Sequence, residues 1–379
     1  MHEKIANLIK HNPVIQLLYR VIMSACFRVL GLFLPLDEKL VLLSSMSGDR
    51  FDGSPLVLFK EMQKDPRFRD YHYVWAFSNP DQFGVSGAEK VKMDSPAYFK
   101  TALRSGIWIT DVNIERGLNF KKKKTVYLNT WHGTGPKKGG NAVAGRKDYD
   151  FSRVDIFCTD GDYTTEVFVK YWNARRESML MCGRPREDEL MHFTEADRMR
   201  IRADLGITPK QIAVLYMPTW REYGEKPLGY SLWERELPEN YVLLMRAHHF
   251  AKNKMEGKAS LNWMDVTAYP NVNELYLAAD ILVSDYSSAF FDYGLLKKPM
   301  LCYAYDYEQF RDSTGLFMDL EKEFPGGIIR SEAELISRIV NMDYETASRE
   351  CDEYVSGYVT HPVDAAACCL DKLAEILEL

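Results

Sequence analysis

Residues 273–303 read NELYLAADILVSDYSSAFFDYGLLKKPMLCY, and this stretch decides the fold. Its first part has the pattern of a helix end. DILVSD (280–285) is a short apolar strand-like run, and a second helix is predicted to begin at the serines that follow. PMLCYAY (299–305) is a further strand-like run. Helix, strand, helix and strand in succession predict a parallel sheet that is covered by helices.

The same alternation extends along the chain in two series of strand-like runs. The first series comprises residues 39–45, 71–77, 106–111, 125–130 and 154–160, and the second comprises residues 212–218, 241–247, 263–267, 280–285 and 299–305. The polar stretch 194–211 separates them, which indicates a boundary near residues 190–208. We therefore predict an α/β protein with two Rossmann-like domains and a cleft between the carboxyl ends of their strands, where ligands of such sheets bind.

Chain length agrees with this organisation, because 379 residues suit two domains rather than one core. The predicted ranges are an amphipathic, membrane-associating segment at 1–36, an N-terminal domain at 37–192, a C-terminal domain at 193–355, and a last helix at 356–379 that returns to the N-terminal domain. The formal net charge of −6 argues against a general nucleic-acid binder.

The cysteines give no sign of a metal site or of a disulfide framework. They lie at positions 26, 158, 182, 302, 351, 368 and 369, without a CxxC pair or a zinc-like spacing. An odd number within mostly apolar runs indicates reduced, buried thiols in a cytoplasmic protein. The adjacent Cys368 and Cys369 are interpreted as helix packing.

The amino-terminal stretch 13–35, PVIQLLYRVIMSACFRVLGLFLP, is apolar but contains two arginines. Gln16, Arg20, Ser24 and Arg28 recur every four residues and therefore share one stripe of a helix. A spanning helix would place both arginines in hydrocarbon, at about 2.5–3.5 kcal/mol each. We predict a helix in the membrane interface with its arginines toward lipid headgroups. A helix packed on the protein's own core is the alternative.

NTWHGTGPKKGG (129–140) places a histidine at the end of a predicted strand. His132 has the side chain that takes a proton near neutral pH, and the glycines at 133 and 135 allow a sharp turn and a close approach to a ligand. Lys137 and Lys138 follow and can neutralise phosphate groups. The motif predicts a phosphate-handling site with His132 as its base. A histidine that only caps a loop is the alternative.

The second series carries polar residues at its strand ends as well. Thr219 and Arg221 follow one strand, and Arg246, His248 and His249 follow the next. An arginine at such a place can bind phosphate oxygens through both arms of its guanidinium group. Ser287 and Ser288 are suited to the cap and first turn of a helix, where an anion such as a pyrophosphate can bind, although an ordinary capped helix explains them equally well.

Five motifs, in the same order, resemble a known family. They are WHGTxxKK at 131–138, GRPRxD at 183–188, PTxR at 218–221, RxH at 246–248 and SDYSSxxFD at 284–292. This set resembles the CDP-glycerol glycerophosphotransferases of bacterial teichoic acid and capsule assembly, over residues 39–330. The resemblance implies a GT-B type fold, transfer of glycerol phosphate from CDP-glycerol to a polyprenyl-diphosphate-linked acceptor, release of CMP, and a peripheral location on the cytoplasmic face of the membrane.

The resemblance also implies roles for residues of this chain. His132 is similar to the general base that activates the acceptor hydroxyl, and His248 to a second catalytic histidine that contacts the donor phosphates. The residues assigned to the donor site in the C-terminal domain, together with Arg184, are Pro218, Thr219, Arg221, Arg246, Asp285, Ser287 and Ser288. The residues assigned to acceptor or phosphate contacts are Gly133, Thr134, Lys137 and Lys138.

Several alternatives stay open at this point. Gly135, Pro136, Gly140 and His249 depart from the family pattern, and Gly133 favours the branch that adds later or repeated units. CDP-ribitol is a rival donor, a nucleotide-sugar glycosyltransferase of the same fold is a rival enzyme, and an inactive membrane scaffold is a rival outside catalysis. No carboxylate cluster in the sequence fixes a metal, yet the sequence is compatible with a Mg²⁺ ion on the donor phosphates and with assembly into a homo-oligomer.

Overall fold

The computed structural model describes residues 13–221, 223–224, 228–247, 263–360 and 363–379. These residues form two compact units. The N-terminal unit contains the described residues up to His132, the segment Gly145–Arg186, and the described residues from 363 to 379. The C-terminal unit contains Gly133–Ala144 and the described residues from Glu187 to Thr360. This division differs from the predicted ranges, because the segment after His132 joins the second unit.

The α-helices and β-strands up to residue 181 are α1 (Pro13–Phe33), β1 (Asp37–Ser44), α2 (Gly53–Lys64), β2 (His72–Phe77), β3 (Glu89–Lys92), α3 (Pro96–Arg104), β4 (Ser105–Thr110), β5 (Val126–Asn129), β6 (Ile156–Thr159), α4 (Asp162–Tyr171) and β7 (Met179–Met181). Those that follow are α5 (Asp188–His192), α6 (Glu195–Asp204), β8 (Ile212–Tyr216), α7 (Tyr230–Glu236), β9 (Tyr241–Met245), β10 (Trp263–Asp265), α8 (Val272–Ala278), β11 (Ile281–Ser284), α9 (Ala289–Gly294), β12 (Met300–Tyr303), α10 (Tyr307–Ser313), α11 (Leu320–Glu323), β13 (Ile328–Ile329), α12 (Glu332–Val340), α13 (Tyr344–Ser356) and α14 (Ala365–Leu377).

Each unit is built around one parallel sheet. Among the described residues, the N-terminal sheet has the order β3-β2-β1-β4-β5-β6-β7 and the C-terminal sheet the order β10-β9-β8-β11-β12-β13. In both sheets the order reverses beside the first strand, between β1 and β4 and between β8 and β11. Such a switch point opens a crevice at the carboxyl ends of the strands, where ligands of doubly wound sheets bind. The predicted fold class of two parallel-sheet α/β domains is confirmed.

The central strands are buried on both faces, which is why they read as unbroken apolar runs in the sequence. In β1 the residues from Leu40 to Leu43 are all buried, and β4 beside it is buried along its whole length. Helix α14 adds Ala366, Leu370 and Leu373 to the same core. The carboxyl-terminal helix therefore packs on the N-terminal unit, although it follows the C-terminal unit in the chain.

The core of the C-terminal unit is formed in the same way. Its strands contribute Val214, Leu243, Val283, Tyr303 and other buried residues, and α12 covers them with its apolar face. Thr267 and Ala247 join the chain after β10 to the chain after β9 by a hydrogen bond of 3.0 Å between the Ala247 amide and the Thr267 hydroxyl. These contacts fix the strand ends that carry the candidate site.

Helix α1 packs on the N-terminal unit through its polar stripe. Arg20 Nε donates to the carbonyl oxygen of Gly117 at 2.9 Å, and Arg28 Nε donates to that of Asn119 at 2.8 Å. Between them, the Ser24 hydroxyl accepts from the Asn119 amide at 3.0 Å. The prediction that these arginines point toward lipid headgroups is therefore wrong, because the Nε group of each donates to a backbone carbonyl of the protein.

The opposite face of α1 is apolar and exposed. Exposed side chains on it include Leu18, Ile22, Val29, Leu32 and Phe33, with Leu32 83% and Phe33 77% accessible. Residues 14–33 are long and apolar enough to cross a membrane by length and composition, with a mean hydropathy of 1.5. The helix is therefore amphipathic as predicted, but with its polar side toward the protein.

Candidate functional site

At the switch point of the N-terminal sheet, a buried carboxylate links the ends of β4 and β1. Asp111 follows β4 directly, and its two oxygens accept from the Ser45 hydroxyl and the Met46 amide, both at 2.8 Å, in the chain after β1. Burial raises the pKa of this carboxyl to about 6, and the negative Asp52 acts in the same direction. The two hydrogen bonds and the nearby Arg186 oppose this shift.

His132 is fixed by the backbone of the same aspartate. Its Nδ1 lies 2.8 Å from the carbonyl oxygen of Asp111, and Arg186 Nη1 donates to the carbonyl of His132 at 2.9 Å. Because a carbonyl oxygen only accepts hydrogen bonds, neutral His132 carries its proton on Nδ1 and its basic lone pair on Nε2. This is the tautomer that a general base of the predicted kind requires.

The backbone before His132 is held in an uncommon conformation. Trp131 has φ of 50°, which non-glycine residues adopt rarely and at a cost of about 1–3 kcal/mol. Its ring is buried and meets Phe151 and Trp172 edge-on, with centroids 5.6 Å away in each case, and its amide donates to Asn129 Oδ1 at 2.8 Å. Packing around Trp131 thus sets the direction in which His132 leaves the sheet.

The C-terminal sheet uses the same device at its own switch point. Asp285 follows β11 directly, and its Oδ1 accepts from the Thr219 amide at 2.9 Å, in the chain after β8. The amide of Tyr286 donates to the same oxygen at 2.7 Å, and Arg221 Nη1 lies 2.8 Å from Oδ2. Asp285 therefore ties the predicted donor residues Thr219 and Arg221 to the serine turn that follows it.

Arg221 is buried among carboxylates. Its Nε and Nη2 donate to the two oxygens of Asp306, at 2.6 and 2.9 Å, in addition to the pair with Asp285. Tyr286 and Tyr223 also donate their hydroxyls to Asp306, at 2.9 and 2.7 Å. Two carboxylates pair with the single guanidinium group, so the structure gives Arg221 the surroundings of a residue that holds the site together. Its contact with donor phosphate stays a prediction.

The glycine that ends the WHGTG motif meets the SDYSS motif in the C-terminal unit. Gly135 packs against the backbone of Ser287 and Ser288, so closely that an added Cβ would lie 2.6 Å from the Ser288 nitrogen. Pro136 and Lys138 then pair with another loop, since Phe317 N donates to Pro136 O at 2.7 Å and Lys138 N to Gly315 O at 3.0 Å. The segment 133–144 is therefore anchored next to the serine turn, which begins the six-residue helix α9.

Two threonine hydroxyls near the serine-turn and strand-end motifs of this unit are buried. Thr134 Oγ1 and Thr219 Oγ1 have no hydrogen-bond partner among the described residues, although both atoms are buried. A buried hydroxyl without a partner costs about 1–3 kcal/mol, which a bound ligand can remove. Ser287 Oγ accepts from the Ala289 amide at 3.1 Å, so this serine, rather than Ser288, supplies the side-chain cap of the turn.

The other predicted site residues lie in several places. Arg184 is buried in the N-terminal unit, 2.8 Å from Asp160, and Arg246 donates to the carbonyl of Tyr269 at 2.7 Å. Pro218 is half-buried after β8, Lys137 is exposed, and Gly133 has φ of 125°, a conformation that favours glycine. His248 and His249 lie outside the described residues.

Sequence reasoning did not identify Asp111, Asp306 or Tyr286 as site residues. A signal for Asp111 was present, because GIWITD (106–111) and DILVSD (280–285) are both strands that end in aspartate. Nothing in the sequence pairs Asp306 with Arg221. Asp285 and Asp306, the carboxylates next to the serine turn, already form ion pairs with Arg221. Among the described residues, the one group with metal-ligand spacing consists of cysteines. The suggestion of Mg²⁺ therefore stays a prediction.

Comparison with known proteins identifies relatives of the whole arrangement. The family described as CDP-glycerol:poly(glycerophosphate) glycerophosphotransferase matches residues 26–356. A teichoic acid poly(glycerol phosphate) polymerase of Staphylococcus epidermidis is 31% identical over 80% of this chain. The chain spans 46% of the length of that polymerase. A polymerase of the same description from Bacillus spizizenii is 27% identical over 93% of both chains. The ribitol-phosphate polymerase TarL of Staphylococcus aureus is more distant, at 25% identity over 86% of this chain and 60% of its own length.

The solved structures agree with the sequence relatives. A histidine-to-alanine variant of the wall teichoic acid polymerase TagF matches with a TM-score of 0.81 and 27% identity, over 96% of this chain and 97% of that chain. A histidine-to-asparagine variant of TagF soaked with CDPG matches with a TM-score of 0.80. The family match covers most of the residues in both units. The chain therefore belongs to the CDP-glycerol:poly(glycerophosphate) glycerophosphotransferase family.

Proposed function

We propose that this chain transfers glycerol phosphate from CDP-glycerol to a hydroxyl group of a polyprenyl-linked teichoic acid or capsule precursor and releases CMP. Membership of the family supports the class of reaction, and the glycerol-phosphate relatives support glycerol over ribitol as the alditol. The observation that carries the proposal is the hydrogen bond between His132 Nδ1 and the carbonyl of Asp111.

His132 acts as the general base in this proposal. The acceptor hydroxyl oxygen attacks the phosphorus that bears glycerol, the bond from that phosphorus to CMP breaks, and the hydroxyl proton moves to His132 Nε2. The Asp111 carbonyl keeps the other ring nitrogen protonated and stabilises the imidazolium that forms. A base of this kind contributes about 10²–10⁴-fold to the rate.

The C-terminal unit supplies the donor site. Thr134 and Thr219 offer their buried hydroxyls, and the close packing of Gly135 on Ser288 sets the shape of the serine turn. Arg221 holds Asp285 and Asp306 in place beneath it. Phosphoryl transfer depends mainly on such positioning and on charge stabilisation. His248 stays the predicted second histidine of this site.

Helix α1 attaches the enzyme to the cytoplasmic face of the membrane in this proposal, because the lipid-linked acceptor lies in that surface. Its exposed apolar face is turned away from the unit that its arginines hold. A helix of this type lies in the interface, where its apolar side chains enter the acyl boundary. The polymerases among the relatives support the addition of repeated units to an acceptor that already carries the first one.

The experiment that tests the reaction measures nucleotide release. Purified protein is incubated with a glycerol-phosphate-terminated lipid acceptor and with CDP-glycerol, CDP-ribitol or a UDP-sugar in parallel, and the nucleotides are separated by chromatography. We expect CMP from CDP-glycerol only, with a matching gain in acceptor mass. CMP from CDP-ribitol alone would replace the donor, UDP from the sugar would replace the reaction, and no product from any donor would support the scaffold alternative.

A further inference from the structure

Three cysteine thiols of the N-terminal unit converge in its core. Cys158 Sγ lies 3.3 Å from Cys369 Sγ, and Cys182 Sγ lies 4.0 Å from Cys369 Sγ. All three sulfurs lie within 4.8 Å of one another, and all three side chains are buried. Cys158 belongs to β6, Cys182 directly follows β7, and Cys369 lies on α14, so three separate elements contribute to the cluster.

Cys368 precedes Cys369 on α14, is partly exposed, and lies outside this group of three. The sequence could not predict the group, because no two of its members have the CxxC spacing of common zinc sites. Cys369, interpreted from the sequence as helix packing, is buried in the core as expected, and it also brings its thiol to those of Cys158 and Cys182.

We propose that Cys158, Cys182 and Cys369 bind one thiophilic divalent metal ion of the zinc class, and that the ion fastens α14 to the N-terminal sheet. A zinc–sulfur bond of about 2.3 Å in a tetrahedral site places sulfur atoms about 3.8 Å apart. The sulfur separations of 3.3 and 4.0 Å lie on either side of that value.

The site has the character of a structural centre. The three ligands come from β6, the residue after β7 and α14, so that a bound ion joins three elements of the core. Because all three thiols are buried, the ion enters while the unit folds, and its binding energy contributes to the stability of the folded state. The cluster is separate from His132 and Asp111, so this proposal does not depend on the proposed reaction.

Metal content tests the proposal directly. The full chain is produced in zinc-supplemented and in cadmium-supplemented medium, and metal is measured by elemental mass spectrometry after gel filtration. We expect one equivalent per chain, an ultraviolet cadmium–thiolate charge-transfer band, and a lower melting temperature after chelation. Cys158→Ala and Cys369→Ala are expected to reduce the metal to background, whereas Cys351→Ala, a buried cysteine of the C-terminal unit, keeps it.

Three results would overturn the proposal. One is a folded wild-type protein without metal and without a cadmium–thiolate band, which would make the cysteines small apolar side chains. Another is equal metal content in wild type and in both cluster variants. The third is an intact mass two hydrogens below the reduced value, with Cys158 and Cys369 joined in a tryptic peptide, which would make the pair a disulfide. The wild-type measurement decides the question even if a cluster variant does not fold.

Discussion

Gly135 lies against the backbone of Ser288, with no room for a side chain between them. A Cβ at residue 135 would be 2.6 Å from the Ser288 nitrogen and 2.8 Å from the Ser287 carbonyl carbon. Two motifs that are far apart in the sequence are thus in contact within the C-terminal unit. Gly135 departs from the family pattern, and this chain has a physical reason for a glycine there. Only a residue without a side chain allows the backbone to come so close to Ser288.

Gly135→Ala is expected to disturb the proposed donor site. The added methyl group forces one of the two backbones to move, and overpacking of this kind costs about 1–3 kcal/mol. We expect a higher KM for CDP-glycerol and a lower free energy of unfolding, measured by CMP release and by urea denaturation. Gly84→Ala is the matched control, since nothing lies within 4 Å of its Cβ position. Equal effects of the two substitutions would contradict the close approach.

His132→Ala is expected to lower kcat for CMP release by about 100-fold or more without unfolding the protein, because the base is lost. His132→Gln keeps a polar side chain but cannot take the proton, and it should be equally inactive. His72→Ala is the control, since this histidine is exposed and pairs with Asp37 at 2.9 Å. Near-normal turnover of a folded His132→Ala protein would remove the residue from the mechanism.

The sequence predicts the central strands well because each is a continuous apolar run. The predicted strand 39–45 is β1 (Asp37–Ser44), and 154–160 contains β6 (Ile156–Thr159). Short edge strands such as β3 (Glu89–Lys92), with the residues EKVK, have no apolar run and were not predicted. Pattern reasoning detects burial, and an edge strand with exposed side chains does not show it.

The candidate site was predicted as a set of strand ends but not as a network. A strand-end arginine suggests a ligand contact, and the sequence cannot show that Asp285 and Asp306 already surround Arg221. Periodicity likewise showed that Arg20 and Arg28 share a helix face, but not what that face contacts. Partners that lie far along the chain depend on the tertiary fold, and a single sequence holds no direct record of them.

Arg221→Ala is expected to destabilise the C-terminal unit strongly. Removing one partner of a buried ion pair leaves the other charge uncompensated and costs about 3–5 kcal/mol. Arg221→Lys should recover little, because an ammonium group cannot reproduce the two-armed contact with Asp306. Urea unfolding measures both, with Arg235→Ala as the control, since Arg235 pairs with Glu236 on the surface. A loss no larger than that of the control would show that the pairs contribute little.

Substitutions on the outer face of α1 are expected to release the protein from lipid. Leu18→Asp combined with Ile22→Asp places charges on two side chains that are 56% and 57% exposed, without touching the face that contacts Gly117 and Asn119. We expect wild type to sediment with anionic vesicles and the double variant to stay in the supernatant, with unchanged CMP release from a water-soluble acceptor. Met199→Asp, exposed on α6, is the control. Equal sedimentation of all three proteins would exclude α1 as the lipid-binding element.

Asp111 is expected to make stability fall as the pH rises. Burial raises the pKa of its carboxyl from 3.8 to about 6 in the folded state, with Asp52 adding to the shift and Met46, Ser45 and Arg186 opposing it. Between these values the folded protein keeps a proton that the unfolded chain has lost. The proton on Asp111 therefore stabilises the folded state fully below about pH 4, and this stabilisation is lost as the pH rises through about 6.

Asp111→Asn tests this directly, because an amide cannot ionise. The variant should lose the fall in unfolding free energy between about pH 4 and pH 6, and above that range it should exceed wild type by about 2–3 kcal/mol, since a pKa shift of one unit corresponds to about 1.4 kcal/mol. Urea unfolding at several pH values measures the slope. Asp70→Asn is the control, because Asp70 is exposed and pairs with Lys39 on the surface. If the slope survives in Asp111→Asn, another group causes it. If the slope disappears and CMP release also falls, the Asp111 carboxylate has two effects: it lowers the stability of the fold, and it holds the chain that presents His132. A loss of stability in return for activity is expected of a strained functional site.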